Sequence, residues 1–178
     1  MSDSPTEAPN PPENGAGRGP IPANPWRPPI LLATWFGSGL LPGMPGTWGS
    51  AAALPFAWVI QYHWGPMALA LAATIAFFVG IWAADAYTAE TGVTDPGPVV
   101  IDEVAGLWLT LALAAALDPA HYIAGFVFFR FADILKPWPV GWADREIKGG
   151  LGVMVDDILA GLYAALLLYL TTEVLGVL

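Results

Sequence analysis

The sequence predicts an all-α, polytopic membrane helix bundle of about five apolar segments, with a re-entrant loop rich in glycine and proline. Three observations predict it. The chain is 56% hydrophobic and only 12% charged, with a mean hydropathy of +0.57, whereas a soluble domain carries roughly 25% charged residues. Uncharged runs recur along it, and no alternating strand pattern competes with them. Nine Trp and twenty Gly suit a multispanning protein, with aromatics at the interfaces and glycine tolerated inside the helices.

In chain order, Met1 to about Pro29 is dense in Pro and Gly. Such a stretch cannot hold a helix or bury a core, so residues 1–29 are expected to be a disordered tail. No basic stretch leads into an apolar one at the extreme N-terminus, so the tail is not read as a signal peptide. Residues 30–178 are expected to form one membrane-embedded domain that carries whatever chemistry the chain has. It opens with the apolar run Ile30–Phe36, then the loop Gly37-Ser-Gly-Leu-Leu-Pro-Gly-Met-Pro-Gly-Thr-Trp-Gly-Ser50. Its Gly–Pro punctuation forbids a continuous helix, and its low polarity suggests backbone lining a cavity at membrane depth. Thr47 and Ser50 are suited to cap the next helix. Gly46, Thr47 and Ser50 also offer backbone N–H groups at a helix N-terminus, a setting that binds anions.

Ala51–Tyr62 spans only about 18 Å as a helix and needs its flanks to cross a ~30 Å hydrocarbon core. Pro66–Ala84 is the cleanest span, without a charge. Val104–Leu117 is shorter, Tyr122–Leu135 carries Arg130 and Asp133 inside it, and Ile158–Leu170 closes the set. If the spans alternate, the N-terminal region and the loops 85–103 and 136–155 share one side. That side holds all six basic residues, Arg18, Arg27, Arg130, Lys136, Arg145 and Lys148, while the loops near His63 and His121 hold none. The excess of Lys and Arg makes that side cytoplasmic.

The same side collects the suspicious acids. Asp102-Glu103 and Asp156-Asp157 each open an apolar run. Acidic residues at membrane depth cost roughly 2.5–3.5 kcal/mol each, which makes them functional candidates. The plainer reading is that they complement helix N-termini. Arg130 and Asp133, three apart, are placed to form an intrahelical ion pair. Lys136 either snorkels to the interface or binds phosphate. Gly149-Gly-Leu-Gly152 reads as a flexible approach to the second acidic pair.

Two pairs of hard oxygen ligands, with no Cys in the chain and no His nearby, point to Mg²⁺ rather than zinc or copper. A glycine loop and cations beside such a site, in a membrane, suggest a phospholipid substrate. The absence of Cys removes thiol nucleophiles and zinc-thiolate sites. Both His fall on the far side, which opposes a phosphohistidine mechanism. The formal charge of −9 opposes nucleic acid as a partner. The alternative is a non-enzymatic divalent-cation carrier, whose site would lie near the bilayer midplane rather than at segment ends. Release of phosphate from a lipid by purified protein separates the two.

Four motifs carry a resemblance: Gly37 to Ser50, Asp95-Pro-Gly-Pro-Val-Val-Ile-Asp-Glu-Val-Ala-Gly106, Phe129-Arg-Phe-Ala-Asp-Ile-Leu-Lys-Pro-Trp-Pro139, and Gly149-Gly-Leu-Gly-Val-Met-Val-Asp-Asp-Ile-Leu-Ala-Gly161. In this order, over roughly residues 30–170, the chain resembles the bacterial phosphatidylglycerophosphatase A family. The resemblance implies a Mg²⁺-dependent inner-membrane enzyme that converts phosphatidylglycerophosphate to phosphatidylglycerol. The expected ligands are several of Asp102, Glu103, Asp156 and Asp157. One of these carboxylates, or Asp133, serves as general base, and Arg130, Lys136 and Arg145 neutralise the phosphate. The residues are compatible with direct attack by water or with an aspartyl-phosphate, and they leave the oligomeric state open. Successive residues on a helix point about 100° apart, so Asp102 and Glu103 can both face one ion only at an irregular turn.

Overall fold

The computed structural model describes residues 23–94 and 96–174. Most of the tail expected over residues 1–29, and Asp95 of the second motif, lie outside the described residues. Among those described, secondary structure is helical and there is no strand. The helices are α1 (Pro28–Ala33), α2 (Pro45–Thr91), α3 (Ile101–Ala114), α4 (Pro119–Leu135), α5 (Val140–Glu146) and α6 (Gly149–Tyr169).

Each expected apolar segment is helical, with shifted boundaries. The two segments expected at Ala51–Tyr62 and Pro66–Ala84 fall in α2, broken at Gly65, whose φ of 79° and ψ of 176° no helix contains. Pro66 follows immediately and cannot donate to the preceding turn, so the chain changes direction there. Helix α2 begins at Pro45 because proline is pre-shaped for the first helical position. Thr47 and Ser50 are therefore inside the helix rather than capping it. The cap position is Met44, with no side-chain bond, and Ser50 Oγ donates to Gly46 O at 2.8 Å. Pro28 and Pro29 are the first residues of α1.

The ends of the helices are marked by polar contacts. At one end Tyr122 Oη donates to Gln61 Oε1 at 2.8 Å, and Gln61 Nε2 donates to Ala116 O at 3.1 Å. His121 meets Thr172 there, 3.2 Å apart. At the other end Glu103 lies against Gly46 and Arg130, and Gly150 N donates to Asp85 Oδ1 at 2.6 Å. The two halves of α2, then α3, α4 and α6, thus run in alternating directions between these ends.

Small residues fill many of the helix contacts in the core, around large buried side chains such as Phe129, Ile101, Leu107, Leu111 and Met154. Ala53, Ala57, Ala73, Ala83, Ala105, Ala160 and Ala164 are buried, as expected where helices in lipid approach through small side chains. Many other large apolar residues face outward, including Phe56, Met67, Leu71, Ile75, Phe78 and Trp82 along α2. A soluble protein rarely shows so continuous an apolar surface. The spans Pro45–Thr91 and Gly149–Glu173 are long and apolar enough to cross a membrane. Helix α3, about 21 Å long, is too short to cross unaided, so five crossings do not follow from length and composition.

Candidate active site

The decisive local geometry is the crossing of α3 and α6. Gly106 lies one turn beyond Asp102, and Gly161 one turn beyond Asp157. A Cβ on Gly161 would lie 2.5 Å from Gly106 O, and one on Gly106 would lie 2.5 Å from Asp157 O. Real side chains do not fit at such distances, so glycine lets the two backbones touch. Thr110 Oγ1 lies 3.0 Å from both Gly106 O and Gly161 O and binds the crossing. Close backbones one turn away carry Asp157 to the first turn of α3.

The glycine loop forms a collar around that first turn. Val100 N donates to Ala33 O at 2.8 Å, anchoring the start of α3 on α1. A Cβ on Gly39 would overlap Pro98 O, and one on Gly49 would lie 2.6 Å from Val100 Cβ. A Cβ on Gly46 would overlap Glu103 Oε1 and lie 2.9 Å from Arg130 Nη1. These glycines let the loop and the first turns of α2 close around the segment that presents Asp102 and Glu103.

Carboxylate oxygens of Asp102, Glu103 and Asp157 lie within 4.8 Å of one another. Asp102 Oδ1, Glu103 Oε2, Asp156 Oδ1 and Asp157 Oδ2 are shielded from solvent with no hydrogen-bond partner. Buried polar atoms are nearly always partnered, so each such atom needs an explanation. Asp102 and Glu103 both join the group although successive helix residues diverge. Asp156 stands outside it, because its Oδ2 accepts from Lys136 Nζ at 2.8 Å.

The group forms part of the lining of a cavity of about 700 Å³, together with Asp133, Lys136, Asp144, Arg145, Lys148 and Asp156. Lys136 ends α4 in a left-handed conformation, with φ of 44°. Its ammonium bridges Asp144 at 2.5 Å and Asp156 at 2.8 Å. Burial opposes that charge, but the hydrogen bonds with Asp144 and Asp156 prevail and raise its pKa above the usual lysine range. Arg130 lies 2.7 Å from Asp133 and 3.6 Å from Glu103. The expected intrahelical ion pair is present, but Arg130 stands behind the acids and does not line the cavity. Gly46, Thr47 and Ser50 do not line it either. Gly149-Gly-Leu-Gly152, expected as a flexible approach, is the first turn of α6. A Cβ on Gly150 would overlap Ile81 O, so small residues there serve close packing against α2.

Sequence reasoning passed over Asp85 and Asp144, and used Lys148 only as one of the six basic residues that orient the chain. Asp85 ends the cleanest apolar run and holds the start of α6 through Gly150 N; its charge after that run was the available signal. Asp144 lies within a short polar helix and carried no comparable signal.

The donor set fits a small hard cation. Three carboxylates converge, oxygens are unpartnered, and no His or Cys lies among the described lining residues. Both His lie towards the opposite end, His63 beside the Gly65 break and His121 beside Thr172.

A family model described as phosphatidylglycerophosphatase A matches residues 31–172. The chain is 42% identical over 147 residues to a phosphatidylglycerophosphatase A of Escherichia coli, covering 83% of each chain. It is 37% identical to the protein of that name from Haemophilus influenzae, over 78% of this chain and 85% of the relative. A Bacteroides thetaiotaomicron relative, provisionally named a phosphatidylinositol-3-phosphatase, is 39% identical over 83% of this chain and 96% of its own. No solved structure matches.

Proposed function

The chain belongs to the phosphatidylglycerophosphatase A family, and on that premise we propose a Mg²⁺-dependent lipid phosphatase. It converts phosphatidylglycerophosphate to phosphatidylglycerol at the cytoplasmic face of the inner membrane. The observation that carries the reading is the convergence of Asp102, Glu103 and Asp157, with unpartnered oxygens, at one cavity.

Asp102, Glu103 and Asp157 would hold the ion, with Asp156 beside them. Bound there, Mg²⁺ supplies Lewis-acid charge to phosphate oxygens and makes water a better nucleophile. The chain's own part is placement. Lys136 and Arg130 offset the negative charge of the acids, and Lys136 also reaches the cavity itself. Asp133 and Asp156 are each held by a cation and lie outside the three-carboxylate group. Either is placed to take the proton from water as it attacks phosphorus and to return it to the glycerol oxygen as that bond breaks. Gly46 acts through Glu103 and Arg130, fixing both by close approach.

Phosphate release from micellar phosphatidylglycerophosphate by purified protein, across a Mg²⁺ titration, tests the reading. Asn is nearly isosteric with Asp but lacks the charge that holds a hard cation, and neither Asp102 nor Asp157 caps its helix, the cap positions being Val100 and Lys148. Asp102→Asn and Asp157→Asn should fold and lose turnover by about a hundredfold or more. Near-normal rates with unchanged Mg²⁺ dependence would overturn the site. Sidedness is open to thiol labelling, since the chain has no Cys. In inverted inner-membrane vesicles Glu146→Cys should react with an impermeant reagent and His63→Cys should not. The reverse pattern would reverse the topology.

A further inference from the structure

Most basic side chains among the described residues are already committed. Arg27 pairs with Glu90 at 2.6 Å, Arg130 with Asp133, and Lys136 with Asp144 and Asp156. Arg145 and Lys148 differ. Both are exposed and line the cavity, and neither is at salt-bridge distance from an acid among the described residues. Glu146, between them in sequence, is exposed but does not line the cavity.

The cavity is graded from end to end. Asp156 and Asp157 are buried, and Asp102 and Glu103 have solvent-shielded oxygens, whereas Arg145 and Lys148 stand in solvent. The acids form the floor and the free cations the mouth. Its volume of about 700 Å³ falls within the range of whole-ligand pockets, roughly 300–1,000 Å³. A terminal phosphate seated on the floor would fill only part of it and leave the next part of the headgroup beside the mouth.

Resting on the lipid-phosphatase reading, we propose that Arg145 and Lys148 form a second anion subsite for the internal phosphodiester of the substrate. Arg145 presents a planar fork that can grip two phosphate oxygens, and Lys148 adds a mobile point charge. Arg145 thereby serves the phosphate that is retained rather than the one that leaves. The subsite selects lipids with two phosphates joined by a short polyol over lipids whose only phosphate is terminal. The product keeps the same phosphodiester and competes for the same cations.

The test uses the full chain in detergent with phosphatidylglycerophosphate as substrate and phosphatidate, which lacks the internal phosphodiester, as competing ligand. In the double variant Arg145→Gln, Lys148→Gln, the KM for phosphatidylglycerophosphate should rise about tenfold, since charge-assisted bonds to phosphate are lost. Inhibition by added phosphatidylglycerol should weaken by a similar factor, and inhibition by phosphatidate should stay as it was. Arg145→Lys, which keeps the charge and loses the fork, should fall between. Equal weakening for all three lipids would mean general attraction to an anionic micelle surface and would overturn the subsite, as would an unchanged KM. Failure of the unaltered protein to release phosphate from phosphatidylglycerophosphate would instead remove the phosphatase reading beneath it.

Discussion

Replacing Gly161 by Ala tests the geometric origin of the site without touching a carboxylate. The added Cβ would lie 2.5 Å from Gly106 O, 3.1 Å from Gly106 C and 3.2 Å from Gly106 Cα. An ordinary carbon–oxygen contact is about 3.3 Å, and the obstacle is backbone, which has no rotamer to change. Helix α6 must therefore withdraw from α3 by roughly 0.8 Å. The bond from Thr110 Oγ1 to Gly161 O, now 3.0 Å, would stretch beyond useful range; interhelical bonds of this kind are worth about 0.6 kcal/mol. Overpacking adds typically 1–3 kcal/mol. Asp157, one turn away, moves off Asp102 and Glu103, although a metal site tolerates only about 0.5 Å of error. If the strain is relieved by opening the site, half-saturating Mg²⁺ should rise about 5- to 140-fold. The assay is phosphate release across a Mg²⁺ titration, with thermal unfolding to confirm the fold. Gly125→Ala is the control, because its Cβ would meet only side-chain atoms, the nearest Leu111 Cδ2 at 2.9 Å. A Gly161→Ala enzyme with unchanged turnover and Mg²⁺ requirement would refute the claim that this crossing sets the carboxylate spacing.

Gly46→Val should cut turnover strongly by displacing Glu103 and Arg130, and should raise the Mg²⁺ requirement; a change in KM alone would favour direct phosphate contact by the loop. Asp118 caps α4 by accepting from Ala120 N and His121 N at 3.0 and 3.1 Å, so Asp118→Ala should lower stability by about 1 kcal/mol and leave the Mg²⁺ requirement alone. The hydrogen bond from the His121 N–H holds the Asp118 carboxyl below its usual range. Its contribution to stability should therefore be full above about pH 4, its unfolded range, and fade as pH falls through the lower folded value. Asp118→Asn should cap without that dependence, and an unfolding series from pH 7 to pH 2 that leaves the two indistinguishable would remove the assignment.

The helical class and the candidate reactive groups are both legible in the amino-acid sequence. Apolar length and scarce charge dictate helices with outward-facing aliphatic and aromatic side chains, because backbone polar groups in lipid must be satisfied within the segment. Acidic pairs at the mouths of apolar runs stand out because burying charge is costly, so Asp102, Glu103, Asp156 and Asp157 were legible one residue at a time. Their division of labour was not. Asp156 is drawn to Lys136 and Asp157 to Asp102 and Glu103 by which face of α6 meets which neighbour. The loop glycines show the same limit. Glycine before a helix reads equally as an anion cradle or as a close-packing surface, and only the positions of Glu103 and Val100 against Gly46 and Gly49 distinguish them. Asp144 and Asp85 acquire meaning only through Lys136 and Gly150, contacts between residues 8 and 65 positions apart. Local pattern records what each residue costs to bury; which residues then meet is decided by how closely the helices cross, and here two glycines at the crossing of α3 and α6 decide it.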